Sequence, residues 1–246
     1  MHKFLLCSII FTFFISCSPD DAYDNRILST QKYSSITSKP IDFPANPANE
    51  FDVAGSLEYE ISEMYYQNPF GTSISDIITT VEMFANTKST FLAIKPVNYV
   101  SPSATTLESY VSDPVISAAA IIDNAPISLK AKNSLINFSE TLILYKSQQL
   151  TYNFMYSYII NYEAGIVADP QFSASEKRTI LTESSISRYA LYFAGRHKKI
   201  PRDQDWDTSM IHLRVCVDGM KDNMARAIIM SVVIGMYENI DNSGII

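Results

Sequence analysis

Few side chains in this chain stand at spacings that could carry chemistry. His212 and Cys216 are four residues apart, which puts an imidazole and a thiol on one helix face and supplies half of a zinc site. No second ligand pair at a suitable spacing accompanies them, so packing is their expected role, and no metal or cofactor is expected. A Cys-His nucleophile is weaker still, because such pairs generally come from different elements. Asp203-x-Asp205-x-Asp207 has the spacing of the first ligands of a calcium loop, but that loop needs Gly at 208 and Glu at 214. The chain has Thr208 and Arg214 there, so these carboxylates are expected to precede a helix N-terminus, where the dipole favours them. There is no Gly-x-Ser-x-Gly, no Gly-rich phosphate loop and no His-Glu-x-x-His, so no catalytic residue is assigned.

Arg188 is the most informative of the charged residues. Ile180, Leu181, Leu191 and Tyr192 lie on its helical face, so the guanidinium is expected inside. A buried guanidinium needs a carboxylate or several carbonyls to offset its desolvation. Glu163 and Glu140, on the preceding helices, are the expected partners. A structural ion pair is the first reading. The second is an anion-binding pocket formed by Arg188 with Tyr189, Tyr192 and Glu163. The run Arg196-His197-Lys198-Lys199, with Arg202, follows a helix end and precedes the Asp run; it reads as a solvated, self-neutralising loop.

The elements that must position these residues are helical. The chain holds only 7 glycines; no Asn-Gly pair occurs, and the one Asp-Gly pair, Asp218-Gly219, reads as a helix break and not as a hairpin turn. Asn49 is expected to cap a helix to about Tyr66, ended by Asn68-Pro69-Phe70-Gly71. Ser73 or Ser75 opens the next, to about Asn86. Residues 87–112 read as a loop with one short helix at 105–111. Asp113-Pro114 starts a helix to Asp123, and Ser128 starts another that reaches Leu144 or bends near Ser139. From Ser147 to Ala168 the aromatics alternate as in a strand, but the run is too long for one. It is expected as a helix, aromatic around its circumference and central to the bundle. Ser173-Ala174-Ser175-Glu176 is a capping box for a helix ending at Gly195. A last pair spans 207–217, broken at Gly219, and 222–237; its apolar run 228–236 is too short to span a bilayer and reads as core.

Composition bounds the function. Apolar residues are 47% and charged residues 18%, as in a globular chain. The formal charge of −7 would be repelled by phosphate backbones, so nucleic acid is excluded as a partner. The N-terminus reads as an export signal. Lys3 supplies the charge, Leu5 to Ile15 the apolar stretch, and Ser16 the small residue before Cys17. Ser16-Cys17 resembles the cut site of bacterial lipoproteins, in which the cysteine becomes the acylated N-terminus; palmitate-type acylation of Cys17 is what that implies. The alternative is a plain secretory signal that leaves Cys17 a thiol. Cys7 leaves with the signal, so Cys216 has no disulfide partner. The acidic Ser18-Pro19-Asp20-Asp21 resembles the segment behind the acylated cysteine of surface-exported lipoproteins in Bacteroidota-type bacteria. Residues 18–48, rich in Ser, Thr, Asp and Pro, are expected to be a disordered tether, with Ile41 and Phe43 packing where the domain begins.

Two stretches carry a further resemblance. Asn49-Glu50-Phe51-Asp52-Val53-Ala54-Gly55 is similar to the Asn-Pro-aromatic-Asp-x-x-Gly opening of an uncharacterised Bacteroidota-type lipoprotein family. Ser185-Ile186-Ser187-Arg188-Tyr189 is similar to its Ser-x-x-Arg-Tyr helix. Glu50 replaces the Pro, and Glu58 and Tyr59 stand where relatives have His-Asn. The resemblance implies a helical, membrane-tethered protein and no particular activity.

These readings converge on an all-α protein: a signal at 1–16, an acylated tether at 17–48, and one irregular bundle of six to eight helices at 49–246. The expected role is a non-enzymatic outer-membrane lipoprotein, surface-exposed or facing the periplasm, held by its lipid and binding a protein or small molecule. A small-ligand or anion-binding protein built around Arg188 is the alternative. An enzyme would require His197 or His212 to meet a carboxylate in a cleft.

Overall fold

The computed structural model describes residues 43–200, 205 and 207–240. The export signal, Cys17 and most of the expected tether lie outside the described residues, as do Arg202 and Asp203.

Among the described residues the chain forms ten α-helices: α1 (Asp52–Gln67), α2 (Ile74–Ala85), α3 (Ser89–Ile94), α4 (Ala104–Ser112), α5 (Pro114–Asp123), α6 (Leu129–Ser147), α7 (Tyr152–Ala168), α8 (Ala174–Ala194), α9 (Met210–Met220) and α10 (Met224–Asn239). The all-α class is as expected, and the helix number exceeds the expected six to eight. Short polar side chains start most of the helices by accepting an N–H of the first turn: Ser73, Ser103, Asp113, Ser128, Thr151, Ser173, Ser209 and Asn223. Ser173 and Glu176 complete the capping box.

Four local expectations change. Asn49 does not cap α1. Its Oδ1 accepts the Phe51 N–H at 2.9 Å in a turn, and its amide is spent elsewhere. α3 occupies part of the expected loop, pinned by the buried ring of Phe91. Gln149 takes a left-handed φ of 56° and separates α6 from α7, so the long run from Ser147 is divided without any glycine or proline. α6 runs unbroken through Ser139 and past the expected Leu144 to Ser147, and the Ser139 hydroxyl donates back to the Leu135 carbonyl at 2.9 Å.

The central helix is also not the expected one. α7 buries only Met155, Ile159, Glu163 and Ile166. α8 is buried along almost all of its length beyond Ile180, including Thr182, Glu183, Ser184, Ser185, Ser187 and Arg188. α1 and α7 pack against α8, and α9, α1 and α2 against α10. α10 is buried from Ala227 through Met236, the core helix its apolar run predicted. No helix among the described residues is long and apolar enough to cross a membrane.

Close helix crossings rest on glycine. A Cβ on Gly219 would lie 2.4 Å from Ala227 Cα, backbone that cannot yield, where α9 meets α10. Gly165, in α7, has nothing within 4 Å of that position. The same substitution should therefore have opposite signs. Gly219→Ala is expected to destabilise by about 2 kcal/mol, overpacking outweighing the gain in helix propensity. Gly165→Ala should stabilise by about 1 kcal/mol. Urea denaturation of both variants checks the pair; matching signs would contradict this account of the α9–α10 crossing.

Candidate functional site

The largest buried polar cluster is organised by Arg188. Helix α8 carries the guanidinium to the interior, where its side chain is 0% exposed. Nη2 donates to Asp52 Oδ1 of α1 and, at 3.3 Å, to Glu163 Oε1 of α7. Nη1 donates to the carbonyl of Pro44. Glu163, 1% exposed, also accepts from the Asn46 amide at 2.6 Å, the Asn49 amide at 2.8 Å and the Ser184 hydroxyl at 3.0 Å. The Tyr189 hydroxyl donates to Asp52 Oδ2 at 3.2 Å. Desolvation lowers the Arg188 pKa, and the charges of Glu163 and Asp52 more than offset it, so the guanidinium is held above its ordinary value. It stays charged and paired.

This arrangement clasps the lead-in segment onto the bundle. The packed part of the chain begins before Asn49. The Pro44 carbonyl, the Asn46 amide and the Ala45 carbonyl, which accepts from Tyr156 at 3.0 Å, hold the chain across α7 and α8. Phe43 sets its ring edgewise against Tyr189 at 5.5 Å and Tyr59 at 6.0 Å. The tether boundary expected at residue 48 therefore moves to at least Phe43, because Arg188 needs a carbonyl that this segment supplies.

The expected partners of Arg188 divide. Glu163 is in contact; Glu140 instead lies 3.6 Å from Arg214. Asp52 was not anticipated as a partner, although it sits in the opening motif. The two motifs that carry the family resemblance face each other: Gly55 N–H donates to Ser185 Oγ at 3.1 Å, and that hydroxyl donates to the Asp52 carbonyl at 3.1 Å. A Cβ on Gly55 would sit 2.3 Å from the Tyr189 ring. Tyr189 and Tyr192 are buried, and neither of the two cavities described in this section is lined by Arg188, Tyr189, Tyr192 or Glu163. The acceptors around Arg188 are the protein's own, Asp52, Glu163 and the Pro44 carbonyl, the arrangement of the first reading, a structural ion pair.

The other chemistry-bearing residues are equally enclosed. His212 is buried against Gly235 with neither ring nitrogen hydrogen-bonded. Burial, and after it the charge of Lys146, pushes it down to about 4. Burial pushes the Cys216 thiol well up, with Glu183 adding to the shift. His197 does meet a carboxylate, with Nε2 3.1 Å from Glu63; Nδ1 lies 2.9 Å from the Phe193 carbonyl oxygen, and His197 lines neither cavity. Asp205 pairs with Lys198, as expected of a self-neutralising loop, whereas Asp207 pairs with Lys146 of α6, outside the basic run. Among the described residues no three His, Cys, Asp or Glu side chains stand close enough to hold a metal ion.

Two carboxyl groups inside the bundle lack any cation close enough to bond. Burial pushes Glu58 up to about 8, against a hydroxyl donated by Ser62 at 3.2 Å. Burial likewise pushes Glu183 well up, opposed by Ser187. Each keeps a second oxygen without a hydrogen bond.

Two cavities open on the surface. One, of about 780 Å³, lies among the α3–α4 loop, the α5–α6 loop, the start of α8 and the α9–α10 turn. The other, of about 750 Å³, is a wider groove between α6 and α7. Sequence reasoning missed the first, because its lining comes from four separate stretches and no local spacing reveals it. No family model matches this chain, and neither does any curated protein or solved structure among those compared.

Proposed function

We propose that the chain is an exported, lipid-anchored envelope protein that works by binding a partner, not by catalysis. The observation that carries this reading is the clasp at Arg188, joined to the signal that ends at Cys17. The most elaborate polar cluster of the bundle is spent on fastening the stretch that leads back toward the cysteine. A domain that hangs from its N-terminus needs such a fastening. The 26 residue-to-residue steps from Cys17 to Phe43 would reach at most about 90 Å, enough to hold the bundle clear of a membrane surface. The likeness of Ser18-Pro19-Asp20-Asp21 to surface-exported lipoproteins favours the outward face of the outer membrane.

Fractionation with Cys17→Ala beside the native chain tests the anchor. The native protein is expected in the membrane fraction and the variant in the soluble fraction; a variant that stays with the membrane would overturn the acylation. Protease shaving of intact cells tests the side. Cleavage without lysis is expected, and protection until permeabilisation would turn the domain toward the periplasm.

A further inference from the structure

The 780 Å³ cavity brings three basic side chains together with apolar ones. The chain as a whole carries −7, yet the cavity wall holds Arg178, Arg226 and Lys221 against one carboxylate, Asp222. Lys221 is turned to Asp218 at 2.7 Å and Arg226 Nη1 to Asp222 at 3.2 Å. Arg178 is exposed and forms no ion pair among the described residues, so its charge is uncompensated. Arg226 is only partly satisfied. A guanidinium offers five N–H donors, and its Nε, buried, has no acceptor. Asn223, which also lines the cavity, caps α10, so the positive end of that helix dipole adds to the same field. Part of the remaining wall is apolar, formed by Ile94, Pro96, Pro126 and Met220, and part is polar, formed by Asn98, Ser175 and Thr179. Val100, 64% exposed, also lines the cavity.

We propose that this cavity binds a small amphipathic phosphate: Arg178 and Arg226 take the phosphoryl oxygens, and the apolar wall covers the organic part. The volume lies in the range of small-molecule sites, and two arginine forks match phosphate geometry better than lysines would. The site is not the pocket expected at Arg188. Arg178 lies ten residues earlier on α8, about 15 Å along the helix axis, and the proposal goes beyond the anchor and stands whether or not Cys17 is acylated. The same phosphoryl chemistry has two sources, a free phosphomonoester and the phosphodiester headgroup of a lipid.

Titration calorimetry of the full chain in non-ionic detergent separates them, with inorganic phosphate, phenyl phosphate and glycerophosphoglycerol as probes. Phenyl phosphate is expected to bind saturably at one site and more tightly than inorganic phosphate. Arg178→Gln, which removes no internal contact and so leaves the fold intact, should weaken it about tenfold, and Arg226→Gln similarly. Saturable binding of glycerophosphoglycerol, lost in the same variants, would support the headgroup as the source. The proposal is overturned if none of the three probes binds saturably. It is overturned equally if Arg178→Gln binds like the native chain, or if Arg196→Gln, outside the cavity, weakens binding as much.

Discussion

Arg188→Met is expected to cost about 3–5 kcal/mol of folding stability, the largest effect of any single substitution considered. The substitution keeps most of the side-chain volume and removes the charge. Glu163, buried, then keeps only its amide and hydroxyl donors, Asp52 loses its cation, and the Pro44 carbonyl loses its donor. Arg188→Lys should recover little, because one ammonium cannot serve acceptors on three elements in the planar fork that the guanidinium offers. Replacing Asp52, Glu163 and Arg188 together by apolar residues should be milder than Arg188→Met alone, since no charge is then left unpaired. Urea denaturation measures these differences, and limited proteolysis near Phe43 reports on the clasp. A variant Arg188→Met within about 1 kcal/mol of the native chain would show that the cluster is dispensable.

Raising the pH from about 6.5 to 8 is expected to destabilise the protein, by roughly 2 kcal/mol from Glu58 alone. The folded chain holds Glu58 protonated up to about 8, against an ordinary 4.5. Between those values the unfolded chain has released a proton that the folded chain retains, so stability falls as pH rises. Glu183, also pushed up, and Glu238, pushed up to about 7 by burial, act in the same direction. His212 acts oppositely. Its folded value of about 4 lies below the ordinary 6.5, so it favours the folded state as pH rises to about 6.5 and adds nothing above that. The fall should therefore become visible above pH 6.5, where His212 no longer opposes Glu58. Glu58→Gln keeps the shape and a donor to the interior but carries no charge. It should flatten the profile and raise stability at pH 7 by about 3 kcal/mol. Melting curves from pH 5 to 8.5 for both proteins check this, and parallel profiles would sink the assignment to Glu58.

Much of the helical framework was legible in the sequence because its signals are local. Ser173 with Glu176, Asp113 with Pro114, and the unbroken apolar run of α10 each announce themselves within a few residues. What was not legible is what depends on tertiary placement. The serines, threonine and glutamate of α8 look like a solvent face, and only the bundle shows them to be interior, with Ser184 bonded to Glu163 of α7, Ser185 to the Asp52 carbonyl of α1 and Ser187 to Glu183. The aromatics of α7 suggested a central helix, but large rings also cover the flank of a neighbouring helix when their hydroxyls find partners, as that of Tyr152 does at the Arg188 carbonyl of α8, 3.1 Å away. Glu163 could be guessed as the partner of Arg188 because it lies on the preceding helix. Asp52, 136 residues away in sequence, could not, and neither could the carbonyl of Pro44, which has no side-chain signature at all. The division at Gln149 escaped for a similar reason: a left-handed glutamine leaves no mark in composition.

The clasp at Pro44 has a mechanical consequence. In a protein suspended by its N-terminus, a pull on whatever it holds is transmitted to the point where the chain first grips the fold. Among the described residues that grip includes the bond from Arg188 of α8 to the Pro44 carbonyl, and the same guanidinium also pairs with Asp52 of α1 and Glu163 of α7. If the chain is anchored at Cys17 as proposed, load would enter the bundle across several bonds at once, and the polar cluster would serve as a strain relief for the leash.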